Sequence, residues 1–310
     1  MSFARTVKEE LVSIPASLDE QLAEFAAFLN LSTEFHIENR QKMLDFKTNN
    51  PTVAKRFLQL VRSLYQAETS LMTKKQVRLK RRQTVIIRLT SKIDDIINEH
   101  SLMDNPLESQ DVLTQSEDQK RAYLRAAFLA AGSVNHPKTA EYHLEIYAQQ
   151  PDQIVFLQQL MNAFDLNARI IERRNGYITY LKDAEKISHF LAVTGAQNSV
   201  FQFEDLRIKR DFNNSINRVM NCEIANEKKT IIAANEQIKD IEVIEKYLKT
   251  IDNKTQQVMT LRKANPEANL RELVEKFEET YQETISRSGM NHRLVKIRQM
   301  ANQIREGLKP

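Results

Sequence analysis

At 310 residues, 41% of them hydrophobic and 28% charged, the chain is long enough for two or three domains with ordinary cores. Its net charge of +4 is compatible with a nucleic-acid partner without requiring one, and no stretch approaches the roughly 20 apolar residues of a membrane span. Cys222 is the only cysteine, which excludes an intramolecular disulfide and a thiolate metal cluster and reads as a buried or inert thiol.

From the N-terminus, residues 1–17 mix Lys8, Glu9 and Glu10 into their apolar positions, unlike a secretory signal, so a cytoplasmic location is expected. The segment EFAAFLNLSTEFH, Glu24 to His36, returns one hundred residues later as LRAAFLAAGSVNHP, Leu124 to Pro137. The following segments return with it: KMLDF before Pro51 answers YHLEI before Pro151, and RFLQLVRSLY from Arg56 answers VFLQQLMNAF from Val155. Repetition at so long a period means two fused half-domains, and residues 1–200 are expected to form one duplicated domain with repeats at about 20–98 and 119–195. Each repeat reads helix, strand, strand, helix, strand, strand, helix. The alanines and glycine at 26, 27, 126, 127, 130 and 132 suit a close pair of first helices at a pseudo-twofold axis.

Within the first repeat, Lys74 to Arg88 carries seven basic residues and no acid, and its alternation predicts a hairpin with a cationic face that includes Arg78, Lys80 and Arg82. The second repeat offers Arg169, Arg173 and Arg174 around an Asn175-Gly176 turn. These residues are either a solvated sheet face or a secondary phosphate-contacting surface. Between the repeats, residues 99–118 hold six acids and no Lys or Arg, which predicts a loosely packed surface linker.

A helical connector is expected over 201–250, with Ile224, Ile231, Ile238, Ile241, Ile244 and Leu248 as an apolar stripe against a domain or a neighbouring helix. Residues 251–310 read as a compact helical module. One helix runs from Asp252 to Ala264 and stops at Asn265-Pro266. A second opens at Asn269, with Glu272 at capping-box spacing, and ends near Phe277 before a loop containing Tyr281. A third is capped by Ser288 and runs to about Ile304, with Met290, Leu294, Ile297, Ala301 and Ile304 on one side. Residues 264–286 carry six acids against two bases, whereas residues 287–310 carry six bases against Glu306. A basic, capped last helix after a short capped helix fits helix-turn-helix logic, in which the first turn points short polar side chains at base edges while cations hold phosphates. On that logic Asn291, His292 and Arg293 read bases, Arg287, Lys296 and Arg298 hold phosphates, and Ser288 adds a phosphate contact to its cap. The alternative is a helical bundle whose basic face is only solvated.

The alanine-rich repeat unit resembles the LAGLIDADG homing-endonuclease fold. The whole chain, including GSVN at Gly132 to Asn135 and SRSGMNHRLVKI at Ser286 to Ile297, resembles the WhiA family of bacterial sporulation and cell-division regulators. That resemblance implies an α+β chain with a two-repeat LAGLIDADG-like N-terminal domain, a helical connector and an all-α helix-turn-helix domain. It further implies a transcriptional regulator whose partners are double-stranded DNA, at the nucleoid, and other regulatory or division proteins through the N-terminal domain, with no membrane partner.

Catalysis is not expected. A LAGLIDADG nuclease needs an acid at the eighth motif position of each repeat to hold its divalent metals, and those positions here are Leu31 and Ala131. Glu34, Asp45, Glu141 and Glu145 lie nearby but read as surface charges. The six histidines show no zinc-binding spacing, and the five glycines form no phosphate loop, so no metal and no cofactor are expected. A sequence-specific regulator and a DNA-binding scaffold without sequence preference remain as competing readings.

Overall fold

The computed structural model describes residues 2–38, 40–75, 83–102, 111–248 and 250–307. The chain divides into two compact units, residues 1–211 and 212–310.

Unit 1 opens with a helix that the repeat pattern did not predict, α1 (Phe3–Leu11), whose Phe3, Val7 and Leu11 recur every fourth residue and are buried. The first repeat follows as α2 (Leu18–Ser32), β1 (Thr33–Glu38), β2 (Gln41–Thr48), α3 (Pro51–Leu64), β3 (Thr69–Lys75), β4 (Gln83–Leu89) and α4 (Ile93–Glu99). The second is α5 (Glu117–Ala131), β5 (Gly132–Val134), β6 (Leu144–Ala148), α6 (Pro151–Asn162), β7 (Arg169–Arg173), β8 (Gly176–Leu181) and α7 (Ala184–Thr194). Each repeat builds a four-stranded antiparallel sheet, in the orders β1-β2-β4-β3 and β5-β6-β8-β7. The local signals repeat as faithfully as the topology. Ser17 and Ser116 cap the two motif helices through full capping boxes with Glu20 and Gln119. Pro51 and Pro151 both occupy the first turn of their helices, where the missing N–H costs no hydrogen bond.

The motif helices α2 and α5 pack along one another, with Ala26, Ala27, Ala126 and Ala127 completely or almost completely buried. Small side chains permit that approach, so Ala127→Leu is expected to overpack the pair and destabilise unit 1 by about 1 to 3 kcal/mol. A denaturation midpoint for unit 1 equal to that of the wild type would show that these backbones are not in close contact. Around the pair, the first repeat fills its core with aromatic rings. Phe46 and Phe57 stack with centroids 4.0 Å apart, and Phe28 meets Phe46 edge-on.

Two sequence expectations for unit 1 need correction, and a third lies outside the described residues. The hairpin turn of the second repeat is Arg174-Asn175, because Arg173 already pairs with Gly176. Gly176 has φ +152°, and a Cβ there would lie 2.7 Å from the Ala148 carbonyl oxygen, so the glycine answers a close strand approach. The acidic 99–118 segment is not loosely packed where it is described: Glu99 ends α4, His100 and Thr114 are buried, and Leu102 and Leu113 pack against the core. Arg78, Lys80 and Arg82, finally, lie outside the described residues.

A single helix, α8, spans Gln197–Tyr247. Of the stripe expected to be covered, Ile241 and Ile244 are buried in the core of unit 2 and Ile238 is partly buried, while Ile224, Ile231 and Leu248 are exposed. Cys222, expected to be buried or inert, is exposed on this helix. Unit 2 continues with α9 (Asn253–Ala264), α10 (Leu270–Tyr281) and α11 (Arg287–Gly307). Its core joins Ile241 and Ile244 to Val258, Met259, Leu273, Phe277, Met290, Leu294, Ile297 and Ala301. Tyr281 is helical rather than in a loop: it packs on Phe277 and donates a hydrogen bond to the Gln257 carbonyl. The chain leaves α10 through Gln282 at φ +56°. Among the described residues no helix is long and apolar enough to cross a membrane.

Candidate nucleic-acid interface

The last two helices of unit 2 are joined by the short turn at residues 282–286, and α11 carries the basic face. Its cap is Ser286, not Ser288: the Ser286 hydroxyl accepts from the Gly289 amide at 3.0 Å. Ser288 lies inside the first turn and is exposed, as are Arg287, Asn291 and His292. Helical spacing continues their line through the exposed residues Val295, Arg298 and Gln299, while Met290, Leu294, Ile297 and Ala301 face the core. Arg287, Ser288, Asn291 and His292 have no side-chain partner among the described residues, and all project from the first two turns.

Two of the assigned cations are held differently. Arg293 and Lys296 converge on Asp252, the residue that caps α9; Lys296 Nζ lies 2.7 Å from one carboxylate oxygen, and Arg293 Nη1 reaches the other carboxylate oxygen and the Thr255 hydroxyl. Hydrogen bonds from Lys296 and from Thr255, with the nearby Arg293 charge, hold the Asp252 carboxyl well below the usual carboxylate range. The side chains placed at base edge and phosphate by spacing alone therefore also fasten α11 to the start of α9. Arg298 lies 3.7 Å from Glu236, and Arg305 lies 2.7 Å from the buried Asp240, two links from α11 to α8. In the neighbouring turn the buried Arg262 donates to the Ala268 carbonyl at 2.6 Å and fixes the approach to α10. Sequence reasoning found the α9 cap as a helix start. It missed the second duty of Asp252, which only the folded proximity of residues 41 and 44 positions away creates.

In unit 1 the two sheets differ in charge. On the first, Asp45 is buried and takes a two-pronged ion pair from its cross-strand partner Arg88 at 2.8 and 2.9 Å, Arg88 also reaches Glu38, and Lys47 pairs with Glu34. Much of the cationic charge described there is thus met by acids within the sheet. On the second sheet, Arg169 and Arg173 share one face of β7, and both are exposed, as is Arg174 in the turn. Two strands away on β6, Glu145 bonds His143 at 2.9 Å.

The C-terminal ends of the motif helices, where a nuclease of this architecture needs carboxylates, are met by hydrogen-bond donors. Lys8 Nζ donates to the Leu129 carbonyl at 3.1 Å, and Gln153 Nε2 donates to the Asn30 carbonyl at 2.9 Å. Leu31 and Ala131 are partly buried and pack against the core. Among the described residues no cluster of three or more His, Cys, Asp or Glu side chains could hold a metal ion. The acid that is buried near this axis is Glu24, on α2. It lies 2.7 Å from Arg56 of α3 and 3.3 Å from Arg125 of α5; burial holds its carboxyl above the usual range, and the two guanidinium groups only partly offset that. No sequence pattern flagged this triad, because its three members belong to three helices.

The fold is that of paired LAGLIDADG-like repeats followed by a helical domain of helix-turn-helix type. Residues 18–103 match the WhiA N-terminal LAGLIDADG-like domain, residues 120–213 the WhiA LAGLIDADG-like domain, and residues 216–301 the WhiA C-terminal HTH domain. Relatives named probable cell division protein WhiA include those of Lactobacillus gasseri, 42% identical over 99% of both chains, and Listeria welshimeri, 41% identical over 100% of this chain and 97% of that one. The crystal structure of full-length DUF199/WhiA from Thermatoga maritima covers 98% of this chain and 99% of its own, with TM-score 0.60 at 24% identity, and shares the fold. The chain belongs to the WhiA family.

Proposed function

We propose that the chain is a sequence-specific DNA-binding transcriptional regulator involved in sporulation-type development, cell division or chromosome segregation, with α11 as its recognition helix. The observation that carries this reading is the first two turns of α11, where Arg287, Ser288, Asn291 and His292 are exposed without a side-chain partner among the described residues. Short polar groups at a helix N-terminus suit major-groove base edges, and Arg287 suits a flanking phosphate. Val295, exposed on the same line, offers an apolar contact to a thymine methyl group. The names of the relatives support the division role, and the helix-turn-helix match supports DNA as the partner. Unit 1 acts in this proposal as a platform for other regulatory or division proteins and as a secondary phosphate contact through Arg173 and Arg174, joined by Arg78, Lys80 and Arg82. Selection of bound sequences from a random duplex pool tests the central claim. One enriched motif is expected, and no enrichment would favour a nucleoid or division scaffold without sequence preference.

The same proposal holds unit 1 to be inactive as a nuclease. Two-metal cleavage needs carboxylates at the motif ends, and Leu31 and Ala131 stand at those positions, with the Lys8 ammonium bound at the end of α5. Plasmid incubated with the full-length protein and Mg2+ or Mn2+ is expected to remain uncut above background. Metal-dependent cutting that follows the protein through purification and is abolished by a single carboxylate substitution would refute this.

A further inference from the structure

Beside the C-terminal end of α5 lies a cleft of about 560 Å³. Three stretches distant in sequence form its wall: the start of α1, the β2–α3 junction, and the residues that lead from α5 into β5. Its charged lining side chains are Arg5, Lys8 and Lys47, with no Asp or Glu among them, and Asn50 and Ser133 add polar groups. Arg5 and Lys47 pair outside the wall, with Glu9 and Glu34. Lys8 makes no ion pair with a carboxylate among the described residues. Its ammonium spends one hydrogen bond on the Leu129 carbonyl, lies 5.6 Å from the centre of the Phe128 ring, and keeps further donors. An ammonium so placed lacks a counter-charge, and burial pushes it down to about 8.

A concave wall that supplies an ammonium, a guanidinium, an amide and a hydroxyl presents several donors to one guest. That array matches a tetrahedral dianion with several acceptor oxygens better than a planar carboxylate. The cleft volume falls within the range of about 300 to 1,000 Å³ usual for small-molecule sites. We propose that this cleft binds a phosphate group, with Lys8 as the central cation and Arg5, Asn50 and Ser133 as supporting donors. The site is separate from the recognition helix, so the proposal stands or falls independently of how α11 reads DNA. The phosphate can belong to a free nucleotide-sized molecule or to a DNA backbone.

The test is calorimetric titration of the full-length protein with inorganic pyrophosphate, and with sulfate, a dianion that does not titrate near neutrality. Saturable binding of both is expected. Lys8→Met should weaken it by about tenfold or more, as the loss of a charge-assisted hydrogen bond does, and Arg5→Gln, at a half-exposed side chain that leaves the fold intact, should weaken it several-fold. Affinity for sulfate should fall as pH rises through about 8 and the Lys8 ammonium loses its proton. Lys8→Arg should bind without that fall, since a guanidinium stays charged. The other charged groups around the cleft, Arg5 and Glu9 on α1, Lys47 on β2 and Glu34 on β1, are common to both proteins. Repeating the titration with saturating non-specific duplex separates the sources: unchanged binding assigns a free ligand, and competition assigns DNA phosphate. No binding of either anion, or equal binding by wild type, Lys8→Met and Arg5→Gln, would overturn the proposal.

Discussion

Glu24→Ala is expected to destabilise unit 1 by about 3 to 5 kcal/mol, the usual cost of removing one member of a buried ion pair. Glu24 is completely buried, and Arg125 is 4% exposed. With the carboxylate gone, Arg125 keeps only Glu20, at 3.7 Å, as a counter-charge among the described residues, while Arg56 is nearer the surface and can turn toward water. Burial already presses Arg125 downward from its ordinary value, and Glu24 opposes that pressure most strongly. At about 2 to 4 °C per kcal/mol for a unit of this size, the thermal midpoint should fall by roughly 6 to 20 °C. The companion variant distinguishes a charge effect from a packing effect. Glu24→Leu combined with Arg125→Met removes both buried charges and should recover most of the loss, because apolar replacement of a whole buried pair is often neutral. Hydrogen exchange resolved over α2 and α5 reads unit 1 separately from unit 2. A midpoint for Glu24→Ala within about 1 °C of wild type would mean that the triad contributes little.

That triad marks where reading the sequence stops. The duplication was legible because its signals are local and repeat: the alanine-rich faces of α2 and α5 and the amphipathic segments from Arg56 and Val155, which the structure places in α2, α5, α3 and α6. The helix starts were less legible, since α3 and α6 begin at Pro51 and Pro151 and the serine caps of α2 and α5 appear only in the fold. Glu24, Arg56 and Arg125 make sense only after three helices meet, and no periodicity announces an ion pair in an apolar interface. The connector shows the complementary failure. Helical spacing correctly makes α8 a helix, but it does not say what covers the stripe; Ile241 and Ile244 find the unit 2 core while Ile224 and Ile231 stay exposed. At the interface, the buried face of α11 followed from its i, i+4, i+7 spacing, since burial is fixed by direction from the axis. The contacts of Arg293 and Lys296 with Asp252 did not follow, because long flexible side chains take whichever partner the fold brings within reach.

Asn291→Ala is the substitution on which the reading of α11 depends most. Asn291 lies exposed one turn into the helix with no side-chain hydrogen bond among the described residues to give up, so its loss should leave the fold intact and remove a base contact worth about 1 to 3 kcal/mol. Affinity for the selected site should therefore fall by roughly 5- to 150-fold while affinity for a scrambled duplex stays unchanged. Arg287→Gln should weaken both duplexes alike and lower the slope of log K against log salt by about 0.9, the signature of one phosphate contact. Replacing Arg173 and Arg174 together should resemble Arg287→Gln, since a sheet-face cation of this kind reaches phosphates. Arg293→Ala makes a sharper comparison. If its main duty is the Asp252 clamp, specificity falls together with the stability of unit 2, and Asp252→Asn reproduces both losses. If it reads a base, specificity falls with the denaturation midpoint unchanged. Loss of discrimination in the Arg173 and Arg174 variant, with Asn291→Ala losing only general affinity, would move sequence reading to the sheets of unit 1 and away from α11.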